Sequence, residues 1–249
     1  MPEYCIETHA HTDIVSPCGR LSPRELVDAY VQAGYAAIVT TDHLTATLPL
    51  FRGVASWRDR VHRFYSGYRA VRREAAGTRL TVLPGFELTF AEMPGFDFLV
   101  YGIDESTLAD MPDVTMLDPW TFRELATAAG ALVFQAHPFR SDRPADPALL
   151  DGVEVFNGNP RHDSANERAA AFAGVHRLLA ISGSDTHQRD DIARGGITLP
   201  CVPSSGADLV RWYRESPGEV GLLGDISYRM PTISMEKTSV ALPGTVRLP

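Results

Sequence analysis

The sequence is poor in two residue types that define common site chemistries. Lys237 is the only lysine, and arginine supplies the remaining positive charge. The three cysteines, Cys5, Cys18 and Cys201, are an odd number without a close pair, which supports neither a disulfide framework nor a zinc ribbon. Long apolar runs and a secretion signal are also missing, so we expect a cytoplasmic protein without a membrane partner.

The charge and length limit the class of protein further. A net charge of -8 disfavours sequence-independent binding of long nucleic acids, which leaves small molecules as the expected ligands. A chain of 249 residues is typical of one barrel of alternating strands and helices. The pattern fades after about Leu223, which predicts a barrel over residues 1–223 and a C-terminal tail over residues 224–249. The oligomeric state stays open.

Short apolar runs alternate with helical stretches throughout the predicted barrel. Strands are predicted near residues 4–8, 36–40, 80–83, 96–101, 131–135, 152–156 and 178–181. Helices are predicted from Ser22, a capping-box residue, to Gly34, and over residues 56–76, 118–130 and 164–173. This alternation predicts an α/β fold with a parallel sheet closed into a barrel, whose site lies at the C-terminal ends of the strands.

Two short motifs at opposite ends of this region offer paired metal ligands. His9 and His11 are two residues apart after the first strand, and Asp185 and His187 are two apart after the last. Residues two apart on a strand point the same way, so each pair can face one ion. His43, Glu87 and His137 follow other apolar runs, which makes a chance arrangement a poor explanation.

These seven candidates indicate a cluster of metal ions. Imidazoles mixed with carboxylates suit Zn, Mn or Fe, and the candidates suffice for two to three ions, with Glu87 as the bridging carboxylate. Such clusters are typical of phosphoester hydrolysis by a metal-bound hydroxide. Asp42 is a candidate outer-shell residue, and no other catalytic side chain is predicted.

Further polar residues follow the predicted strands. The planar guanidinium of arginine matches phosphate oxygens, so the mouth arginines are candidates for substrate binding: Arg20, Arg140, Arg161 and Arg194. Glu154 alternates with valines inside its strand, and it faces either the barrel interior or an arginine.

The motifs together resemble the PHP family, named for polymerase and histidinol phosphatase. The matching stretches occur in the family's order: His9-Ala-His11, Thr41-Asp42-His43, Gly85-Phe86-Glu87, Ala136-His137-Pro138 and Gly183-Ser-Asp185-Thr-His187. They cover residues 4 to about 200. The resemblance implies a distorted, TIM-like (β/α)7 barrel, a di- or trinuclear centre of Zn, Mn or Fe, and hydrolysis of phosphoesters.

The sequence departs from the family pattern at two positions. Many members carry an aspartate in a Ser-Asp-Gly stretch after the first histidine pair, whereas this chain reads Ser16-Pro17-Cys18-Gly19. Either Cys18 supplies a thiolate ligand, or Asp13 substitutes, or one metal has fewer protein ligands. Many members also place a histidine ten residues after the bridging glutamate, and this chain has Asp97 there.

The leading hypothesis is a free-standing phosphoesterase for a small phosphorylated metabolite or nucleotide, cleaving a phosphomonoester or short phosphodiester. Three alternatives remain. A histidinol-phosphate phosphatase is a narrower version of the same reading, and a metal-binding module without catalysis fits the two departures. An amidohydrolase-type barrel also begins with His-x-His, but most dinuclear members bridge their metals with a modified lysine, and Lys237 lies in the predicted tail.

Overall fold

The computed structural model of the chain describes residues 3–140 and 143–231. The strands in these residues are β1 Tyr4–Ala10, β2 Ala37–Thr40, β3 His43–Thr45, β4 Thr81–Thr89, β5 Asp97–Tyr101, β6 Leu132–Gln135, β7 Gly152–Asn157, β8 Leu179–Gly183, β9 Gly196–Leu199 and β10 Gly221–Leu223. The α-helices are α1 Pro23–Gln32, α2 Trp57–Phe64, α3 Ser66–Glu74, α4 Glu105–Asp110, α5 Pro119–Ala128, α6 Asn166–His176 and α7 Gly206–Glu215. Short 3-10 helices span Pro49–Phe51, Val114–Met116, Pro147–Leu149, Arg189–Asp191 and Pro217–Glu219.

The strands form one sheet that is bent into a nearly closed barrel. Its order is β10-β9-β1-β2-β4-β5-β6-β7-β8, and β3 pairs with β4 beside this path. A bridge between Ala10 and Thr186 joins the segment after β8 to the end of β1, with the amide of His11 donating to the carbonyl of Thr186 at 2.9 Å. The expected α/β barrel is therefore confirmed.

One strand departs from the expected parallel arrangement. β5 runs antiparallel to both of its neighbours, β4 and β6. β4 ends at Thr89 and β5 begins at Asp97, and this link is shorter than a crossover between parallel strands requires. The expectation of an all-parallel sheet is wrong at this strand, and also at β9, which pairs antiparallel with β1 on one side and with β10 on the other.

The predicted start and end signals of the first helix are confirmed at α1. The hydroxyl of Ser22 accepts from the amide of Glu25, and the Glu25 side chain accepts from the amide of Ser22, which completes the capping box. Gly34 follows with φ +84, as a helix stop requires. The long helix expected over residues 56–76 is wrong in one respect, because it is divided into α2 and α3.

The division between α2 and α3 has a packing reason. A Cβ on Gly67 would lie 2.5 Å from a carboxylate oxygen of Asp42 and 2.7 Å from the hydroxyl of Thr12. Glycine at this position lets α3 approach Thr12 and Asp42, which follow β1 and β2. The neighbouring Tyr65 is buried at the break and donates its hydroxyl to the carbonyl of Ile103 at 3.0 Å.

An apolar layer fills the barrel opposite the strand ends that carry the predicted site. Side chains from several strands meet there with residues of α7, a helix that the sequence pattern did not predict: Ile6, Val39, Leu83, Leu99, Tyr101, Phe134, Leu209 and Tyr213. This layer leaves polar residues to collect at the C-terminal ends of the parallel strands. No helix among the described residues is long and apolar enough to span a bilayer.

The described part of the predicted tail lies against the barrel. Tyr228 donates its hydroxyl to the carbonyl of Leu178 at 2.6 Å, and the amide of Ala180 lies 3.4 Å from the sulfur of Met230. Residues 224–231 therefore cover β8. The predicted tail beyond residue 231, including Lys237, lies outside the described residues.

Candidate metal centre

The seven predicted metal ligands converge at the C-terminal end of the barrel. β1 places His9 and His11, β3 begins with His43, and β4 places Glu87 near its end. The other three follow β6 and β8. The ligand atoms fall into three groups, within each of which they lie within 4.8 Å of one another: His9, Glu87 and His137; His9, His11 and Asp185; and His11, His43 and His187.

Glu87 joins these groups through its two carboxylate oxygens. Its Oε2 lies 2.9 Å from Nδ1 of His43 and 3.4 Å from Nε2 of His11. Its Oε1 lies 3.1 Å from Nε2 of His137. One carboxylate thus faces two different sets of imidazoles, which is the arrangement that a bridging ligand needs.

Asp185 is the second carboxylate of the centre. Its Oδ1 lies 3.5 Å from Nε2 of His9 and 3.4 Å from Nε2 of His11. Its Oδ2 accepts from Nη2 of Arg140 at 2.8 Å. One oxygen therefore faces the imidazoles while the other carries an arginine.

Several buried atoms at the centre have no hydrogen-bond partner among the described residues. They are Nε2 of His9, Nε2 of His11 and Oε2 of Glu87, and all three side chains are fully buried. Buried polar atoms are nearly always hydrogen-bonded, and these three converge on the same space. A set of imidazole nitrogens and carboxylate oxygens left open in this way fits divalent metal ions.

The electrostatics hold three of the donors, Glu87, Asp185 and His11, in metal-binding forms. Burial alone would raise the pKa of Glu87, but His43 and His9 hold this pKa well below its usual range. Burial alone would also raise the pKa of Asp185, but His9 makes the largest contribution to holding this pKa well below its usual range. Burial, with His187 and His43 nearby, holds the pKa of His11 well below its ordinary value. The carboxylates are therefore ionised and His11 is neutral, as ligation requires.

Glu154 supports the centre from below. Its Oε1 lies 2.9 Å from Nδ1 of His9, and its Oε2 accepts from the amides of His137 and the Asn157 side chain, each at 2.9 Å. A carboxylate on Nδ1 keeps the proton there and leaves Nε2 of His9 open. The structure thus selects the interior alternative for Glu154, in a supporting position, and its alternation within β7 was the only sequence signal for it.

Asp42 supports the opposite side, the position expected of an outer-shell residue. Its carboxylate accepts from the amide and hydroxyl of Thr12 at 2.7 and 2.8 Å and from the hydroxyl of Ser16 at 2.7 Å. Ser16 in turn accepts from the amide of His43 at 3.0 Å. Burial raises the pKa of Asp42 to about 6 despite these hydrogen bonds. The sequence reading missed Ser16 as the link.

Two of the candidate ligands have unusual backbone conformations. His137 and Asp185 have φ values of 30 and 52, which non-glycine residues rarely adopt. Hydrogen bonds hold both: Glu154 accepts from the amide of His137, and the side chain of Asn159 donates to the carbonyl of Asp185 at 3.0 Å. Strain held by surrounding polar groups is common where ligands are aimed at a site.

The four arginines predicted for substrate binding occupy different surroundings. Arg140 is half-buried and contacts Asp185 directly. Arg161 pairs with Asp191 at 2.7 Å, and Asp191 also accepts from the amide of His187, so this pair braces the His187 segment. Arg20 and Arg194 are exposed. Of the four, Arg140 is the one that the structure places against a candidate ligand.

The three residues predicted only as tentative ligands, Asp13, Asp97 and Cys18, differ in their surroundings. Asp13 is exposed and belongs to none of the three groups. Asp97 accepts from the hydroxyl of Thr89 at 2.6 Å, and burial together with Glu87 raises its pKa. Cys18 is exposed and belongs to none of the three groups; burial alone would raise its pKa, but the neighbouring imidazoles of His187 and His43 lower the pKa to about 6.

Comparisons with known proteins identify the fold. A two-domain protein of Bacteroides vulgatus containing a predicted PHP-like metal-dependent phosphoesterase superposes with a TM-score of 0.63 at 20% identity, covering 90% of this chain and 65% of that one. A lesion-specific endonuclease of Pyrococcus furiosus superposes with a TM-score of 0.59 at 12% identity, over 89% of this chain and 58% of that one. An amidohydrolase of Chromobacterium violaceum gives 0.51 at 17% identity, over 86% and 96% of the two chains.

No family model and no curated protein matches the sequence. The structural likenesses define the class of architecture, an α/β barrel of the kind shared by PHP and amidohydrolase proteins. Within that class the chain shares its fold with the PHP-like Bacteroides protein, as the resemblance of its motifs predicts. This chain spans 65% of the length of the Bacteroides protein, so it corresponds to part of that protein.

Proposed function

We propose that this protein is a metal-dependent phosphoesterase that hydrolyses a small phosphorylated metabolite or nucleotide. The observation that carries the proposal is Glu87, whose Oε2 faces His11 and His43 while its Oε1 faces His137. A shared carboxylate of this kind suits a pair of divalent ions. Such ions, when bound, lower the pKa of water and stabilise charge on the attacking and leaving oxygens.

The residues assigned to the metals follow from the three groups. His9, His11, Glu87 and Asp185 would hold one ion, Glu87 with His137 would hold a second, and His43 with His187 would hold a third. Glu154 and Asp42 keep the imidazoles in place through His9 and Ser16. The contribution of the chain is thus a set of imidazoles and ionised carboxylates that point into one buried site.

Arg140 is assigned to the phosphate of the substrate. Its Nη2 is fixed by Asp185 at 2.8 Å, Asn157 at 3.1 Å and Ser164 at 3.2 Å. Its Nε is buried and has no hydrogen-bond partner among the described residues. A guanidinium fixed at one nitrogen, with other donors available, can orient a phosphate without losing much side-chain entropy.

The surroundings favour a small substrate. The exposed arginines Arg20 and Arg194 lie in segments beside the centre, while Arg161 is engaged with Asp191. The net charge of -8 opposes the binding of a long polyanion. A phosphomonoester or a short phosphodiester fits this balance, and histidinol phosphate is one member of that class to be assayed.

The runner-up is an amidohydrolase, a reading favoured by the structural likeness to the Chromobacterium enzyme. The bridging position in this chain is held by Glu87, and Lys237 lies outside the described residues. A phosphoesterase therefore explains more of the centre. Activity on N-acyl or cyclic amide substrates without phosphate release would favour the runner-up.

The test is reconstitution with Mn²⁺ or Zn²⁺, followed by assays on an aryl phosphate, a bis-aryl phosphate and a panel of phosphorylated metabolites that includes histidinol phosphate. We expect metal-dependent phosphate release. Arg140→Gln should lower kcat/KM by roughly 10- to 100-fold, mainly through KM, because one charged hydrogen-bonding partner of the phosphate is removed. Arg194→Gln, which removes an exposed arginine beside the centre, is the matched control. Stoichiometric metal without hydrolysis of any phosphoester would contradict the proposal and favour a binding module.

A further inference from the structure

All three asparagines of the chain lie in the loop after β7 and at the start of α6. They are Asn157, Asn159 and Asn166. Asn157 and Asn159 are buried, so their amide groups need partners inside the protein. Asn159 donates to the carbonyl of Asp185, whereas Asn157 contacts Arg140. The loop thus reaches both the metal centre and the arginine assigned to phosphate.

The side chain of Asn157 joins two groups of opposite charge. Its Nδ2 donates to Oε2 of Glu154 at 2.9 Å, and its Oδ1 accepts from Nη2 of Arg140 at 3.1 Å. Glu154 is the carboxylate that contacts Nδ1 of His9 and accepts from the amide of His137. Asn157 therefore links the residue that supports two candidate metal ligands to the arginine assigned to phosphate.

These two neighbours explain why an amide is needed at position 157. A carboxamide presents a donor and an acceptor from the same carbon, which suits a carboxylate on one side and a guanidinium on the other. Asn157→Asp would put a carboxylate oxygen where Nδ2 lies, 2.9 Å from Oε2 of Glu154, and the like charges would repel. An apolar side chain would remove a partner from both Glu154 and Arg140.

The rest of the loop holds Asn157 and Arg140 in register. The amide of Asn157 donates to Oδ1 of Asn166 at 3.0 Å, and Nδ2 of Asn166 donates to the carbonyl of Asn157 at 3.2 Å. The hydroxyl of Ser164 accepts from Nη2 of Arg140 at 3.2 Å and donates to Oδ1 of Asn157 at 3.3 Å. The position of Arg140 thus depends on this loop as well as on Asp185.

We propose that Asn157 is a positioning residue that holds Arg140 at a fixed place relative to the metal centre. The inference rests on the proposed function, in which Arg140 binds the phosphate of the substrate. A guanidinium that is already held at Nη2 loses less side-chain entropy when its other N–H groups bind phosphate. Removal of the Asn157 amide should therefore weaken phosphate binding.

Metal binding should be affected less than phosphate binding. Without Asn157, Glu154 keeps its contacts with His9 and with the amide of His137. The support of the candidate ligands is therefore retained, and the loss falls on Arg140. This difference separates a positioning role from a general loss of structure, which would lower metal content and phosphate affinity together.

The test is a double-mutant cycle with inorganic phosphate as the probe and calorimetric titration as the measurement. The native protein, Asn157→Leu, Arg140→Gln and the double variant are loaded with Mn²⁺ and analysed for bound metal before titration. Asn157→Leu should weaken phosphate binding by roughly tenfold with metal content retained. The double variant should bind phosphate no more weakly than Arg140→Gln, because Asn157 acts through Arg140. In steady-state assays Asn157→Leu should raise KM more than it lowers kcat.

Two further variants keep the test decisive. Arg20→Gln changes an exposed arginine of another loop, and its effect should add to that of Asn157→Leu. If Asn157→Leu does not fold, Ser164→Ala takes its place in the cycle, with a smaller expected loss of phosphate affinity. This variant removes only the hydroxyl between Arg140 and Asn157.

The failures of the two proposals differ. Losses that add between Asn157→Leu and Arg140→Gln, or native phosphate affinity in Asn157→Leu, overturn the positioning role and leave the proposed function intact. Metal-loaded native protein that binds no phosphate and hydrolyses no phosphoester overturns the proposed function itself, and the positioning role with it.

Discussion

Two buried glutamates of the barrel have opposite surroundings. Glu7 on β1 and Glu87 on β4 are both fully buried. One oxygen of Glu7 accepts from the amides of Thr8, His9 and Ser184, each at 2.9 Å, and the other accepts from the hydroxyl of Tyr30 at 2.7 Å. Glu87 faces imidazoles instead, and its Oε2 has no hydrogen-bond partner among the described residues.

The difference separates a structural carboxylate from one prepared for a metal. Burial raises the pKa of Glu7, and its neutral donors only partly offset this effect. At Glu87 the histidines outweigh burial and hold the pKa well below its usual range. Glu7 ties β1 to the segment after β8 and so closes the barrel below the centre. A saturated buried carboxylate holds the fold, and an unsaturated one among imidazoles is available for ligation.

The largest expected effect is on activity, in Glu87→Gln. The amide keeps the shape of the side chain but removes the charge that two ions would share. Hydrolysis should fall by roughly a thousandfold or more, with a thermal midpoint in the metal-free protein that changes little by comparison. Steady-state kinetics and thermal unfolding measure the two effects. Activity close to that of the native protein would remove Glu87 from the mechanism.

The next effect is on stability, in Glu7→Leu. This substitution removes the acceptor of three buried amides and one of the two partners of the Tyr30 hydroxyl, which keeps Thr186, so the free energy of unfolding should fall by about 3 kcal/mol. Urea unfolding provides the measurement. Glu7→Gln is the matched control and should cost less, because its carbonyl oxygen can still accept from the amides. A Glu7→Leu protein of native stability would show that these hydrogen bonds are not needed to hold β1 to the segment after β8.

A smaller effect is expected on metal affinity in Glu154→Gln. The substitution weakens the acceptor on Nδ1 of His9 without touching an assigned ligand. Affinity should fall by roughly 10- to 100-fold, as is typical when the partner of a metal-bound histidine is changed. Titration with a competing chelator measures it. An unchanged affinity would limit Glu154 to a packing role.

The smallest effect concerns pH. Burial alone would lower the pKa values of His9 and His43, but Glu154 and Asp185 raise that of His9 and Glu87 raises that of His43. In the metal-free protein these raised values contribute stability below the unfolded histidine pKa of about 6.5, and the contribution is lost as pH rises through the folded values.

Metal binding requires the deprotonated rings and so reverses this trend. The rise in thermal midpoint on adding Zn²⁺ should therefore be small at acidic pH and grow as pH increases through the raised histidine pKa values. Thermal scans with and without metal at several pH values provide the measurement. A metal-induced shift that is independent of pH would contradict the assigned proton competition.

The sequence allowed the fold class and the clustering of the candidate ligands to be predicted, because each lies at or just beyond the end of a parallel strand and these strands end on one side. It did not reveal the antiparallel β5, which follows a short link, or the break between α2 and α3, which lies beside the close approach of Gly67 to Asp42. Glu7, Ser16 and Glu154 were missed as supports because hydrogen bonds over long sequence separations define them. No local pattern encodes such contacts.

Metal content is the most direct measurement of the central claim. The native protein, Glu7→Gln and Glu87→Gln are purified without chelator, supplied with Zn²⁺ or Mn²⁺, and analysed for bound metal per chain. Two or more ions are expected in the native protein and in Glu7→Gln, with fewer in Glu87→Gln. The absence of bound metal from the native protein under these conditions, or equal loss in both variants, would contradict the distinction between the two glutamates and the metal centre built on it.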